Sequence, residues 1–171
     1  LDLSKIDNGK LGINKKVFSL EHMVQNAVDS IVQTHDQSNM ELYLQGDISG
    51  LMVYGDVIRL EQVLVNFLTN AYKYAAGTEK VIVDCTVMTD VVKVSVIDFG
   101  IGIPQTKQSE VFDKFYRVEE TSFDFQGLGI GLYICSEIIR SHQGTIAVES
   151  SEGKGATFYF TLPLNLPTDA E

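Results

Sequence analysis

The chain has little positive charge, few cysteines and no long hydrophobic run. Its 171 residues contain 13 Lys and Arg against 23 Asp and Glu, which gives a formal net charge of −10. This balance argues against a nucleic-acid backbone or an anionic membrane as partner, because both carry negative charge. Any phosphate group that the chain binds must therefore be held by local contacts.

The cysteines and the hydropathy pattern exclude further classes of protein. Cys85 and Cys135 each lie in an apolar run without a CxxC or Cys/His spacing, which predicts two buried thiols rather than a disulfide or a metal site. A reducing, cytoplasmic environment is expected. The chain has no run of about 18 apolar residues and no charged-then-apolar leader, so we expect neither a membrane span nor a signal peptide.

What the chain does contain is one strongly amphipathic stretch, residues 56–75. On a helix its apolar side chains form a broad face and leave a narrow polar row of Gln62, Asn66, Asn70 and Lys73. Asn lowers helix propensity relative to Ala, so helix stability alone does not explain two Asn residues one turn apart. The row is either a polar surface face or a line of ligands.

The remaining periodicities alternate between helices and strands. Helices are predicted over residues 19–33 and 128–141, and strands over 16–18, 40–45, 51–54, 80–86, 91–97, 144–149 and 156–162. Because most strand connections are short turns, we predict an α+β two-layer sandwich with helices on one face of a mixed, mostly antiparallel sheet, rather than a doubly wound sheet. His22 and His35 are predicted at the surface, and His142 near a helix C-terminus.

Three glycine clusters punctuate the second half, at residues 98–104, 127–132 and 153–155. At a helix start, glycines leave backbone N–H groups open to phosphate oxygens, although a flexible turn is the alternative. Asp98 ends an apolar strand, where its carboxylate can accept from an exocyclic amine such as that of adenine, or cap the turn. The unpatterned residues between 100 and 127 predict a functional lid or a disordered segment.

Together these motifs resemble the catalytic, ATP-binding domain of sensor histidine kinases, within the superfamily of gyrase B, the heat-shock chaperone of the same fold and the MutL proteins. Residues 66–74 (NFLTNAYKY) resemble the N box, 98–102 (DFGIG) the G1 box, 112–117 (FDKFYR) the F box, 127–132 (GLGIGL) the G2 box and 153–158 (GKGATF) the last glycine motif. The resemblance implies a Bergerat-type sandwich at residues 13–164, with an ATP lid at about 103–127. Residues 1–12 would end an upstream dimerisation hairpin, and 165–171 would be a frayed tail.

The resemblance also implies a site for ATP and Mg²⁺. Asn70 would coordinate the metal, Lys73 and Arg117 would act with it in catalysis, and Asp98 would read the adenine amine. Phe112 and Phe115 would anchor the lid. The full nucleotide-binding set would be Asn66, Asn70, Lys73, Tyr74, Asp98, Gly100, Gly102, Ile103, Phe115, Arg117, Gly127, Leu128, Gly129, Gly131, Leu132 and Thr157.

Transfer to a protein histidine is favoured over ATP hydrolysis. Hydrolysing relatives carry a Glu four residues before the metal-binding Asn, whereas this chain has Asn66, which cannot accept a proton. His22, His35 and His142 lack the family's acceptor box, so the phosphoacceptor is expected on the upstream hairpin, and the chain alone should not phosphorylate itself. The expected partners are that hairpin and a response-regulator receiver domain, with the isolated domain monomeric and the intact protein homodimeric.

Two alternatives stay open at this point. One is a catalytically silent nucleotide-binding regulatory module of the same fold, which would signal through its lid or its helix faces. The other is a serine kinase of the same superfamily, which residues 1–11 argue against because they are similar to a hairpin tail. Gln126 precedes Gly127 where many relatives have a small residue, so the contacts of the lid are undefined.

Overall fold

A computed structural model of the protein describes residues 11–35, 39–75, 77–114 and 130–168. In chain order the elements are β1 (Lys16–Ser19), α1 (Leu20–Thr34), β2 (Glu41–Gln45), β3 (Met52–Gly55), α2 (Val57–Tyr74), β4 (Lys80–Val87), β5 (Val91–Ile97), a 3-10 helix (Gln105–Lys107), α3 (Gly131–Ser141), β6 (Ile146–Ser150) and β7 (Ala156–Pro163). Within these ranges, no helix combines the length and the apolar character that a bilayer crossing requires.

Five strands form the main sheet, in the order β2-β4-β5-β7-β6. β2 runs parallel to β4, and the other neighbouring pairs are antiparallel. β1 and β3 form a separate antiparallel pair. The predicted mixed, mostly antiparallel sheet is therefore confirmed, and so is the β4–β5 hairpin. β2 and β3 follow each other across a short turn yet join different sheets, which their periodicity does not reveal.

One core lies between the three helices and one face of the sheet. The buried side chains of α1, α2 and α3 belong to a single cluster with alternate residues of β4, β5 and β7. At its centre the ring of Phe67 lies 5.5 Å from that of Phe158 and 6.1 Å from that of Phe160, measured between centroids. These tilted aromatic contacts fix α2 across β7. The predicted two-layer architecture is confirmed.

The first two helices begin at predicted side-chain caps. Ser19 Oγ accepts from the N–H of His22 at 3.3 Å, and Asp56 Oδ1 accepts from the N–H of Arg59 at 3.2 Å. Each bond satisfies one of the N–H groups that a helix start leaves without an internal partner. α2 then runs over the predicted stretch and keeps its apolar face in the core.

The cysteine prediction is confirmed, and the histidine prediction holds in part. Both cysteines are free and buried. Burial raises the pKa of the Cys85 thiol to about 11 and that of Cys135 to about 12, so both stay protonated and unreactive. His22 is exposed as predicted, but His35 is half-buried, with its ring 4.6 Å from that of Tyr72.

Candidate functional site

A hydrogen bond between side chains orders the polar row of α2. Asn66 and Asn70 are half-buried, and Asn70 Nδ2 donates to Asn66 Oδ1 at 3.4 Å. This bond uses the amide nitrogen of Asn70 and turns its Oδ1 away from Asn66. An amide oxygen of this kind is a ligand that Mg²⁺ accepts beside water and phosphate oxygens.

The N-terminus of α3 lies against the same row. A Cβ atom on Gly131 would stand 2.5 Å from Asn66 Nδ2, so a side chain at this position would displace Asn66. Ile130 is the N-cap residue, and within the described part of the chain no side chain caps this helix. α1 and α2 both have capping side chains, so α3 differs from them in that no described side chain occupies its first N–H groups. These groups and the helix dipole together favour an anion.

Asp98 marks the other end of the site. Its side chain is buried, and Oδ1 accepts from the N–H of Gly100 at 3.0 Å and from that of Ala156 at 3.2 Å. Burial raises the pKa of the carboxyl, and the two hydrogen bonds offset part of that rise. Both bonds use Oδ1, so Oδ2 is the atom that can accept from a ligand.

Three glycines allow backbone contacts that join these parts. A Cβ on Gly100 would stand 2.4 Å from the carbonyl oxygen of Tyr74, which puts the loop after β5 against the last turn of α2. Gly155 has φ +80°, and its Cβ would stand 2.0 Å from the carbonyl oxygen of Asp98. Gly102, with φ +69°, similarly approaches the carbonyl oxygen of Ser151. A side chain at Gly100 would separate the loop after β5 from α2, and one at Gly102 or Gly155 would separate that loop from the turn between β6 and β7.

The described beginning of the predicted lid is packed against the sheet. Ser150 Oγ accepts from the N–H of Ile103 at 2.8 Å, and Gln108 Nε2 donates to the carbonyl oxygens of Ile103 and Ser150 at 2.9 and 2.8 Å. Val111 is buried, and Phe112 meets Phe158 edge-on with ring centroids 6.2 Å apart. Sequence reasoning missed Ser150 and Gln108, because a side chain that bonds loop backbone leaves no periodic signal.

Most of the predicted residues that the structure describes are brought together by these contacts. Lys73 and Tyr74 end α2 beside Gly100, with Lys73 Nζ 5.3 Å from the centroid of the Tyr74 ring. Leu132 packs on the core one residue after Gly131. The predicted residues that lie outside the described part of the chain are Phe115, Arg117, Gly127, Leu128 and Gly129.

Thr157 is not brought to the site. It pairs with Ile97 of β5, and in β7 it stands between the buried Ala156 and Phe158, so its side chain lies on the sheet face away from the helices. Ala156 takes the position beside Asp98, where its N–H bonds the carboxylate. The sequence already indicated this orientation, because the alternation of Phe158, Phe160 and Leu162 assigns Thr157 to the other face of β7.

The chain is similar in sequence to known proteins. The family described as "Histidine kinase-, DNA gyrase B-, and HSP90-like ATPase" matches residues 55–166. The adaptive-response sensory kinase SasA of Thermosynechococcus vestitus is 36% identical over 156 residues, which cover 91% of this chain and 41% of the relative. The sensor protein kinase WalK of Staphylococcus aureus is 32% identical over 176 residues, which cover 100% of this chain and 28% of the relative.

The fold is also that of a solved catalytic domain. The nucleotide-free catalytic domain of the histidine kinase ThkA superposes with a TM-score of 0.77 at 28% identity, covering 88% of this chain and 97% of that domain. The chain thus spans nearly all of that domain but less than half of the length of SasA and WalK.

Proposed function

Because the chain belongs to the family of histidine kinase-, DNA gyrase B- and HSP90-like ATPases, we propose that it is the ATP-binding catalytic domain of a two-component sensor histidine kinase. The relatives SasA and WalK are named as sensor kinases, and the ThkA domain as the catalytic domain of a histidine kinase. The proposed reaction transfers the γ-phosphoryl group of ATP to a histidine on an upstream hairpin outside residues 1–171.

One observation carries this proposal: the start of α3, which no side chain among the described residues caps, lies against Asn66, which is itself hydrogen-bonded to Asn70. A helix N-terminus favours an anion, and an amide oxygen favours a hard cation. The close approach of Gly131 to Asn66 puts these two preferences side by side. A ligand that satisfies both must carry phosphate oxygens together with a divalent cation, and Mg-ATP is such a ligand.

The residues fit a bound Mg²⁺ by their chemistry. Asn70 Oδ1 would be the protein ligand, and the hydrogen bond from Asn70 Nδ2 to Asn66 would hold that oxygen in place. A Mg²⁺ ion held by Asn70 would supply positive charge beside the phosphate oxygens, which is the charge neutralisation that phosphoryl transfer needs. Lys73 would contribute positive charge at the last turn of α2, and Asp98 Oδ2 would accept from the adenine amine. Arg117, Phe115 and the first two glycines of the second cluster stay in the proposed site as sequence predictions.

The same geometry favours transfer over hydrolysis. Asn66 Oδ1 already accepts from Asn70, and an amide cannot take a proton from water. Phosphoryl transfer needs positioning and charge neutralisation more than it needs a strong base. A site of this composition would hold ATP until a protein nucleophile arrives.

The proposal extends to the partners and the setting of the intact protein. We propose that the upstream hairpin makes the protein a homodimer, that a response-regulator receiver domain takes the phosphoryl group from it, and that the catalytic domain acts in the cytoplasm. The sensor-kinase names of SasA and WalK support the receiver partner.

Calorimetry of ATP binding tests the site. In the Asn70→Ala variant, the gain in affinity that Mg²⁺ gives should fall by about tenfold or more, equivalent to about 1.4 kcal/mol, because the metal loses its protein ligand. Thr69→Ala is the matched control, since Thr69 is the exposed neighbour on the same helix. An Asn70→Ala variant with the Mg²⁺ dependence of the unmodified chain would refute the proposed site.

A further inference from the structure

His142 joins the two helices that form the phosphate side of the site. It follows α3 directly, yet its side chain is buried. Its Nδ1 donates to the carbonyl oxygen of Ile138 at 2.7 Å, and its Nε2 accepts from the backbone N–H of Asp56 at 2.9 Å. The second bond joins residues 86 positions apart in the chain. The ring therefore ties the C-terminus of α3 to the first turn of α2.

Gly55 makes room for this contact. A Cβ on Gly55 would stand 2.9 Å from Cδ2 of the His142 ring and 2.7 Å from Cδ1 of Leu60. The ring thus lies directly on the backbone that leads into α2. Asp56 continues the link, since its Oδ1 caps α2 through Arg59 and its Oδ2 accepts from the N–H of Asn14.

The proposed nucleotide site lies further along the same two helices, at Asn66 in the middle of α2 and at Gly131 at the start of α3. The axial rise is about 15 Å from Asp56 to Asn66 and about 16 Å from Gly131 to His142, at about 1.5 Å per residue. The helices are antiparallel and touch at both ends of this matched span, at Asp56 with His142 and at Asn66 with Gly131. A slide of α3 along α2 would therefore move Gly131 relative to Asn66.

We propose that His142 is a positioning residue for nucleotide binding, because its Nε2 bond to Asp56 sets the axial position of α3 and thereby aligns the N-terminus of α3 with Asn66 and Asn70. This inference rests on the proposed function. It assigns a role in the site to a residue that lies one helix length away from the phosphates. His142 does not touch the nucleotide.

The contact requires a neutral ring. Nε2 can accept from Asp56 only while it carries no proton, and Nδ1 must then carry the hydrogen that bonds Ile138. Burial is the largest influence and lowers the pKa of the imidazole, and the hydrogen bond to Ile138 acts in the opposite direction. Of the charged groups, Lys15 disfavours protonation of the ring and Asp56 favours it. The neutral form therefore prevails at pH 7.

Two substitutions separate the two ring bonds. In His142→Gln the side-chain oxygen can replace Nε2 as acceptor for Asp56, whereas in His142→Asn the side-chain nitrogen can replace Nδ1 as donor to Ile138. Both variants lose one hydrogen bond, so both should melt at a lower temperature. Only His142→Asn loses the tie between the helices.

The test measures ATP affinity by calorimetry at pH 7.5, with nucleotide-free NMR shifts of the Gly131 amide and the Asn66 side-chain amide. His142→Asn should weaken binding by about tenfold and shift both signals. His142→Gln should keep affinity within about twofold, as should the exposed control His22→Asn. A merely structural role would instead leave the affinities of the folded variants equal, and that result would overturn the inference.

A second measurement covers the case in which His142→Asn does not fold. As the pH of the unmodified chain is lowered, the Gly131 and Asn66 signals should move together with the ring signals of His142 when the ring protonates, whereas in His142→Gln they should not move over the same pH range. Equal movement in both proteins would refute the positioning role. These shifts are recorded without nucleotide, so failure of the unmodified chain to bind ATP refutes the proposed function and leaves the alignment test in force.

Discussion

At the scale of single residues, Asp98 illustrates a conflict between stability and binding. Its carboxylate is buried, and the hydrogen bonds that it accepts from the described residues come from the N–H groups of Gly100 and Ala156, both on Oδ1. Burial raises the pKa of the group, so the folded state disfavours its charge. A buried carboxylate whose second oxygen takes neither bond is typical of a group that serves a ligand.

Asp98→Asn should therefore bind ATP much more weakly and yet be more stable than the unmodified chain. The Asn side chain keeps Oδ1 as acceptor for both N–H groups, removes the buried charge and presents an amide nitrogen to the adenine amine. We expect a gain of about 1 kcal/mol at pH 7, or roughly 2–4 °C in Tm. Thermal denaturation and calorimetry measure the two effects.

The raised pKa of Asp98 also predicts how the stability of the protein changes with pH. Because the folded-state pKa of Asp98 lies above its unfolded value, the folded state binds more protons between the two values, and stability falls as pH rises through that window. The advantage of Asp98→Asn should accordingly shrink as the pH is lowered through the folded pKa. Asp84→Asn, on the opposite face of the sheet, is the control. A pH-independent advantage would contradict this account.

At the scale of elements, the turn between β6 and β7 is fitted to the loop after β5. Gly153 and Gly155 both have positive φ, at +76° and +80°. A Cβ on Gly153 meets nothing within 4 Å, whereas a Cβ on Gly155 would stand 2.0 Å from the carbonyl oxygen of Asp98. The two glycines thus share a conformation and differ in their surroundings.

Gly153→Ala should cost about 1–2 kcal/mol, because a left-handed conformation strains a residue with a Cβ. Gly155→Ala should cost roughly 3 kcal/mol or more, because it adds a collision with backbone to the same strain. It should also weaken ATP binding by moving Asp98. Urea denaturation of the pair measures the difference, and equal losses of stability would show that the loops can separate freely.

The parallel pairing of β2 with β4 shows how a strand of this sheet acquires its partner. β2 supplies the one parallel pairing among the described strands, with Glu41 opposite Lys80 and Gln45 opposite Asp84. A parallel neighbour needs a long connection, and here α2 lies between the two strands in the chain. The length of that connection allows the pairing, but only packing of the helix against the sheet selects it.

At the scale of the whole molecule, the three histidines of the chain differ in their surroundings, and those of His142 exclude it as a phosphoacceptor. His22 is exposed on α1, the ring of His35 lies tilted against that of Tyr72, and His142 uses both ring nitrogens in hydrogen bonds to backbone. A nucleophilic nitrogen must be free to attack the γ-phosphate, which excludes His142 in the folded state. His22 and His35 lack the family's acceptor box, so we expect the polar row to hold ATP without an acceptor in this chain.

The chain alone should incorporate no acid-labile phosphate from labelled ATP, and addition of a phosphoacceptor hairpin from a sensor kinase should restore incorporation. Asn70→Ala with the same hairpin is the control for transfer at this site. Binding of Mg-ATP without any transfer to the hairpin would instead identify a silent regulatory module. Strong labelling of the chain by itself would contradict the assignment of the acceptor to a segment outside it.

Much of the fold was predictable because local periodicity reports burial. The residues of α2 that face the core, the alternation in β4, β5 and β7, and the caps Ser19 and Asp56 follow from spacing alone. Asn66, Asn70 and Asp98 stood out for a similar reason, since each is a costly choice for the element it occupies. Thr157 was predicted as a site residue because it lies in the last glycine motif, although strand alternation assigns its side chain to the outer face of the sheet.

The sequence by itself therefore determined the secondary elements, the two-layer class and the row of candidate ligands, because these depend on residues a few positions apart. Only the tertiary structure decided that β2 pairs with β4, that Gly131 meets Asn66 and that His142 holds the first turn of α2. The physical reason is separation along the chain. Such contacts form between residues tens of positions apart, and their geometry depends on how whole helices pack against the sheet.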